Sequence, residues 1–308
     1  MRDMTGVIVV VPTPFGVDGR IDDASLDRLI GHYLTLGVQG LTIMGVMGEG
    51  SKLTAAESNA LMRRIFDLVD GRLPLIVGAS NPDDKACVAL GEAAMALGAA
   101  GLMILPKPGL ADDDAVFGYF EGLAKALGPS APICVQDYPP ASGVRINVDG
   151  LARLFRELPS LEMVKLEDNP GLDKLTRLLR SLQALEAERP AVLVGNNALF
   201  TELELARGAD GVMTGFAFPE MLLKVFALHR AGETDAAADL YEAYLPLIRY
   251  EAQPGLGLAA RKYILHRQGL LATPALREPG YVLTPEDAGE IDRMLVRLER
   301  RLRQIDIP

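Results

Sequence analysis

The chain has 308 residues, an apolar fraction of 49% that can fill a large core, and a net charge of −10. That charge, with a pI near 4.9, argues against nucleic acid or an anionic membrane surface as a partner. No apolar run reaches the length of about 18 residues that a transmembrane helix needs. The segment Met1-Arg2-Asp3-Met4-Thr5-Gly6 lacks the basic and apolar regions of a signal peptide. Cys87 and Cys134 are too few for a disulfide framework. A cytoplasmic protein is expected.

In chain order, a short apolar run predicts a first strand over 7–11. Segment 22–36 reads as an amphipathic helix, because Ser25, Leu26, Leu29, Ile30, Tyr33 and Leu34 recur at three-and-four spacing. That helix stops at Gly37, and Gly40 opens the run Leu41-Thr42-Ile43-Met44. The same joint returns at Gly98-Ala99-Ala100-Gly101 before Leu102-Met103-Ile104-Leu105, and at Gly208-Ala209-Asp210-Gly211 before Val212-Met213-Thr214. Each first glycine suits a left-handed helix cap, and each following run is apolar without alternation, as in a buried parallel strand. Further strands are predicted over 75–77, 133–136, 163–165 and 192–194, which makes eight. Eight βα units suit a (β/α)8 barrel, assigned here to residues 1–220. A doubly wound sheet is the alternative, but no Gly-x-Gly-x-x-Gly follows the first strand. Beyond Pro219 the patterns are helical, over 221–230, 236–251, 257–268 and 285–304, with a Pro/Gly-broken loop over 269–284. Residues 221–308 are therefore expected to form a C-terminal helical domain.

Lys165 stands out in the run Leu161-Glu162-Met163-Val164-Lys165-Leu166-Glu167-Asp168. An ammonium at the end of a buried strand is costly unless it is paired or loses its proton. A free amine can attack a ketone to form an imine. The plainer alternative is an ion pair with Glu167 or Asp168. A barrel works at the C-terminal ends of its strands. Those ends carry Gly45-Val46-Met47-Gly48-Glu49-Gly50-Ser51, then Gln136-Asp137-Tyr138-Pro139-Pro140, Lys165, Gly195-Asn196-Asn197 and Thr214-Gly215-Phe216. The glycine loop offers amides for a carboxylate or phosphate, and Thr54 with Glu57 suits a capping box on the next helix. His32, His229 and His266 lie on helices without metal-ligand spacing. No Gly-x-Ser-x-Gly elbow or Walker loop is present, and Cys134 reads as a small core residue. No metal or organic cofactor is expected.

These segments together resemble the dihydrodipicolinate synthase / N-acetylneuraminate lyase family of pyruvate-type class I aldolases, over nearly the whole chain. Val11-Pro12-Thr13-Pro14-Phe15 resembles its opening strand, and Gly45-x-x-Gly48-Glu49 its Gly-Thr-Thr-Gly-Glu loop. Pro139 with Ser142-Gly143-Val144 is similar to its Pro-x-x-Ser/Thr-Gly segment, and Gly195-Asn196-Asn197 to its Gly-Asp-Asp/Glu. Lys165 falls where the family's Schiff-base lysine lies. The departures are specific. Val46 and Met47 replace the paired hydroxyls, and Ala141 stands at the synthase arginine. Gln136 falls at the family tyrosine, with Tyr138 two residues on, about 7 Å along an ideal strand. Ile104-Leu105-Pro106-Lys107-Pro108 replaces the Pro-Tyr-Tyr that supplies a tyrosine to a neighbouring subunit. A Gln-Asp-x-Pro segment with Val-Lys-x-Glu looks more like a side branch that dehydrates 2-keto-3-deoxy sugar acids.

The resemblance implies a lyase with an imine at Lys165, acting on a 2-oxo acid (pyruvate or a 2-keto-3-deoxy sugar acid) by retro-aldol cleavage or dehydration. Tyr138, Glu49, Asp137 and Glu167 are the candidate acids and bases. Val46, Met47, Gly48, Gln136, Gly195, Asn196, Thr214 and Gly215 are the candidate substrate contacts. Synthase-like pyruvate condensation and a barrel that binds a 2-oxo acid without turnover are the alternatives. A homo-oligomer, dimer or tetramer, is implied by the family.

Overall fold

The computed structural model describes residues 1–305. The expected strands form as β1 (Gly6–Val10), β2 (Gly40–Ile43), β3 (Leu75–Gly78), β4 (Gly101–Ile104), β5 (Ile133–Asp137), β6 (Leu161–Leu166), β7 (Ala191–Val194) and β8 (Gly211–Thr214). They pair in parallel in sequence order, and β8 closes on β1. Helices α1 (Asp23–Leu36), α2 (Ala55–Val69), α3 (Asp84–Ala96) and α4 (Asp113–Leu127) follow the first four strands. The short α5 (Pro139–Ser142) and then α6 (Val148–Glu157) follow β5, and α7 (Gly171–Leu182) and α8 (Thr201–Ala206) follow β6 and β7. α9 (Pro219–Ala231) packs on β1 and completes the outer ring. α10 (Thr234–Glu251), α11 (Leu256–Arg267) and α12 (Pro285–Leu302) come after it. The fold is thus a (β/α)8 barrel with C-terminal helices. Among the described residues no helix is long and apolar enough to cross a membrane.

Local chemistry sets the joints. Asp22 accepts the Ser25 amide at the start of α1, and Gly37 ends that helix in the left-handed conformation with φ of 79°. Thr54 and Glu57 form the capping box of α2. Strand alternation then sorts side chains to two faces. Ile8, Val10, Ile76, Met103, Cys134, Met163, Ala191, Leu193 and Met213 fill the barrel interior. Their neighbours in each strand pack outward against the helices. Met1 and Met4 pack on the interior cluster, and Met47 joins it. The interior is therefore rich in thioethers, which fill irregular space well. Burial pushes the Cys134 thiol up to about 12, so it stays protonated there.

The C-terminal helices hold the loops at the barrel's C-terminal end. Arg261 of α11, fully buried, donates from Nε to Glu251 Oε2 at 2.9 Å and from Nη2 to Asn197 Oδ1 at 2.5 Å. The Asn197 amide group donates in turn to the Glu251 carbonyl. Tyr241 of α10 donates to the carbonyls of Ala198 and Leu199. These contacts fix a turn in which Asn196, Asn197 and Ala198 all have positive φ, of 46°, 55° and 65°. A non-glycine residue there carries strain of order 1–3 kcal/mol, tolerated only where the surroundings over-determine it. A second tie joins the chain near 277 to the β2–α2 loop. Arg277 pairs with Glu57 at 2.7 Å and stacks 4.5 Å from the Phe15 ring centre.

Two outcomes test this packing. Arg261→Met leaves Glu251 buried without its cation, and removal of one partner of a buried pair costs about 3–5 kcal/mol. The denaturant midpoint should fall accordingly, and an unchanged midpoint would contradict the tie. Glu204 of α8 is buried, and its Oε2 has no partner among the described residues. Burial, with the negative charge of Glu167, pushes its carboxyl from 4.5 up to about 8. Folding therefore takes up a proton at Glu204 between these two values, so its contribution to stability falls as pH rises through that window. Glu204→Gln should flatten the measured slope of unfolding free energy between about pH 5 and pH 8. An identical slope in both proteins would refute this.

Candidate active site

Alternation in β6 turns Met163, Lys165 and Glu167 inward while Val164 and Leu166 face the helices. In β5 it turns Cys134 and Gln136 inward, and register places Gln136 beside Lys165. One carboxylate gathers this group. Lys165 Nζ lies 3.1 Å from Glu167 Oε2. Gln136 Nε2 donates to the same oxygen at 2.7 Å, and the Asn196 amide donates to Oε1 at 3.3 Å. Lys165 is 4% exposed and Glu167 is 7% exposed. Gly195 is required beside them, because a Cβ there would collide with the Glu167 carboxylate. Water scarcely screens such a pair, so its two charges act strongly on each other.

A cavity of about 620 Å³ meets this array at Gln136, which forms part of its wall. Its wall includes Gly45, Val46, Met103, Ser80, Asn81 and Ser142. The Val46 and Met47 amides open a short 3-10 turn and have no acceptor among the described residues. The Gly48 amide differs from expectation, because it already donates to the Gly45 carbonyl at 2.9 Å. Tyr138 is half-buried, and burial together with the Glu167 charge raises its hydroxyl pKa. It therefore stays protonated and can serve as a proton donor.

Other expected residues are placed elsewhere. Asp137 follows the inward Gln136, so the pleat turns it outward, where Lys174 of α7 meets its Oδ2 at 2.5 Å. Burial pushes Asp137 up to about 6, against the pull of Lys174. Glu49 faces the C-terminal segments. Its Oε1 takes Lys262 at 2.5 Å, and its Oε2 takes Lys52 at 2.8 Å and the Arg277 amide at 3.1 Å. Both of its oxygens are thereby engaged in ties to the C-terminal segments and to Lys52. Thr214 follows the inward Met213 and is turned outward by the same alternation. Gly215 lies under the Arg261 guanidinium, which a Cβ would strike. Among the described residues, no group of three His, Cys, Asp or Glu side chains is placed to hold a metal ion.

Two buried groups went unforeseen. Thr42 lies between Val10 and Ile76 in the strand register, fully buried, with no partner for Oγ1 among the described residues. Its signal was a hydroxyl inside an otherwise apolar run. Lys174 is a cation in the first turn of α7, where the helix dipole favours anions. That breach of a local rule was legible in principle.

The site's geometry can be set beside known proteins. The model of the dihydrodipicolinate synthetase family matches residues 3–297. An L-2-keto-3-deoxyarabonate dehydratase of Azospirillum brasilense is 32% identical over 298 residues, covering 96% of this chain and 94% of that protein. A 4-hydroxy-tetrahydrodipicolinate synthase of Persephonella marina is 27% identical over 296 residues, covering 94% and 97%. The crystal structure of a dihydrodipicolinate synthase from Rhodopseudomonas palustris superposes with a TM-score of 0.93 at 41% identity, over 96% of this chain and 98% of that one. An inward lysine on β6 of a closed barrel, with a family match from end to end, places the chain in the dihydrodipicolinate synthetase family.

Proposed function

We propose that the chain is a lyase that forms an imine between Lys165 and the carbonyl of a 2-oxo acid, and that its substrate is a 2-keto-3-deoxy aldonate. The observation that carries this reading is the buried contact of 3.1 Å between Lys165 Nζ and Glu167. Glu167 is within reach to take the lysine's proton, which frees the amine to attack C2 of the substrate. The carbinolamine loses water, and the resulting iminium draws electrons from C3. Glu167 then removes a C3 proton to give an enamine. The enamine expels the C4 hydroxyl, which leaves as water with a proton from Tyr138 or a bound water. Hydrolysis of the conjugated imine releases product and restores the amine. Retro-aldol cleavage branches at the iminium: the C4 hydroxyl loses its proton, the C3–C4 bond breaks to release an aldehyde, and the resulting enamine is protonated at C3 before hydrolysis releases pyruvate and restores the amine.

The residue at 136 supports Glu167 in this role. Gln136 replaces the family tyrosine, and an amide can orient a carboxylate but cannot carry a proton. The cavity supports an uncharged, hydroxylated substrate tail. Ser80, Asn81 and Ser142 offer neutral hydrogen-bonding groups. Lys107, a cation in its lining, is already held by Asp84 at 2.8 Å. The dehydratase relative supports the same substrate class. Pyruvate condensation is the second reading, favoured by the name of the Rhodopseudomonas structure. Val46, Met47 and Ala141 stand against it, since none of them replaces the hydroxyl relay or the arginine. We also propose a cytoplasmic dimer or tetramer, on family membership and on two buried cysteines that are not paired.

The test is turnover of 2-keto-3-deoxypentonates with pyruvate measured separately. Loss of substrate without pyruvate release indicates dehydration, and stoichiometric pyruvate indicates cleavage. No turnover of any 2-keto-3-deoxy aldonate would contradict the substrate class. Lys165→Arg should abolish activity in either case. Glu167→Gln should lower kcat by about 10²–10⁴, the range of a lost general base. A kcat within a few-fold of wild type would remove Glu167 from the mechanism.

A further inference from the structure

The inner and outer faces of β5 and β6 carry paired polar groups at the same height. Inside, Gln136 bonds to Glu167 at 2.7 Å. Outside, one residue further along each strand, Asp137 and Asp168 converge on the Lys174 ammonium, at 2.5 Å and 3.1 Å. Only the barrel wall separates the two sets, and there the Glu167 amide donates to the Asp137 carbonyl at 2.9 Å. Asp168 is braced further by Arg145 at 2.7 Å and by the Asn169 amide at 2.8 Å. Lys174 is 8% exposed and stands in the first turn of α7, where the helix dipole opposes a cation. Its position is therefore explained by the two carboxylates and not by the helix.

We propose that Lys174 is a positioning residue for the imine chemistry, a clamp that joins the outer carboxylates of β5 and β6 and so holds Gln136 and Glu167 in place against Lys165. The inference rests on the lyase reading above. The chain of action is short. The pairing of β5 with β6 ends at the backbone hydrogen bond between Glu167 and Asp137, so beyond it the positions of the tips depend on side-chain ties. The clamp ties them from outside at the height where Glu167 must face the lysine. Misplacement of a reacting group by about 1 Å can cost about 10²-fold in rate. The ion cluster also balances charge, because Lys174 and Arg145 offset Asp137 and Asp168 behind Glu167. Without Lys174, Asp137 would lose the cation at its Oδ2, and Asp168 would keep Arg145 on its other oxygen.

The experiment uses pyruvate as the probe and borohydride as the trap, with the reduced adduct on Lys165 quantified by mass spectrometry. Wild type, Lys174→Met and Lys174→Arg are compared for maximal trapping rate, half-saturating pyruvate and thermal midpoint. The clamp predicts that Lys174→Met lowers the maximal rate at least tenfold, leaves half-saturation within threefold, and is largely rescued by Lys174→Arg. A purely structural lysine would lower the midpoint and leave the rate per folded molecule within twofold of wild type, which would overturn the proposal. If Lys174→Met does not fold, Asp137→Asn decides by the same rate criterion. A wild type that forms no adduct removes the lyase reading itself, and the clamp with it.

Discussion

An ammonium inside a barrel of thioethers and aliphatic carbons must be compensated, and the compensation of Lys165 organises the rest of the site. Glu167 supplies the charge from two residues along the same strand. Its remaining capacity is taken by Gln136 from β5 and by the Asn196 amide after β7. Three neighbouring strands thus meet on one carboxylate. The pair is also what a catalyst needs, because the group that stabilises the resting ammonium is placed to receive its proton. Under the proposed lyase mechanism, ion pairing and imine chemistry, which looked like competing explanations of a buried lysine, become two states of one contact.

That contact depends on loop ends that the barrel alone does not hold. Asn196 sits in a run of positive φ, and α10 and α11 hold the run through Tyr241, Glu251 and Arg261. The β2–α2 loop is held by Glu49 through Lys262 and the Arg277 amide. Behind β5 and β6 stands the Lys174 cluster. The C-terminal helices are therefore part of the site's support. Buried ion pairs contribute little net stability against apolar replacements, but they define geometry closely. Here they lie at loop and strand ends, where definition matters most.

Much of this was legible in the residues. Repeated Gly-x-x-Gly joints announced a parallel barrel, and most strand runs were apolar without alternation. Period two from Lys165 placed Glu167 on its face, and the ion pair was anticipated as an alternative. The same period, applied from Gln136 and Met213, turns Asp137 and Thr214 outward. Reading them as site residues weighed nearness to a strand end above orientation. Glu49 is placed by a different effect. Its partner Lys262 is 213 residues distant and the Arg277 amide 228 residues distant, and no local pattern encodes contacts at that range. The glycine loop was read as open amides, whereas the 3-10 turn consumes that of Gly48. Turn hydrogen bonding of this kind follows from φ/ψ, which the residue string constrains only weakly.

Incubation with pyruvate and borohydride, followed by peptide mass mapping of the wild-type protein, addresses the central claim directly. The account predicts a reduced pyruvyl adduct on Lys165 and on no other lysine, including the buried Lys174 and Lys262. A folded protein that leaves Lys165 unmodified across pyruvate and several other 2-oxo acids would contradict it. Lys165 would then be only the buried half of an ion pair with Glu167.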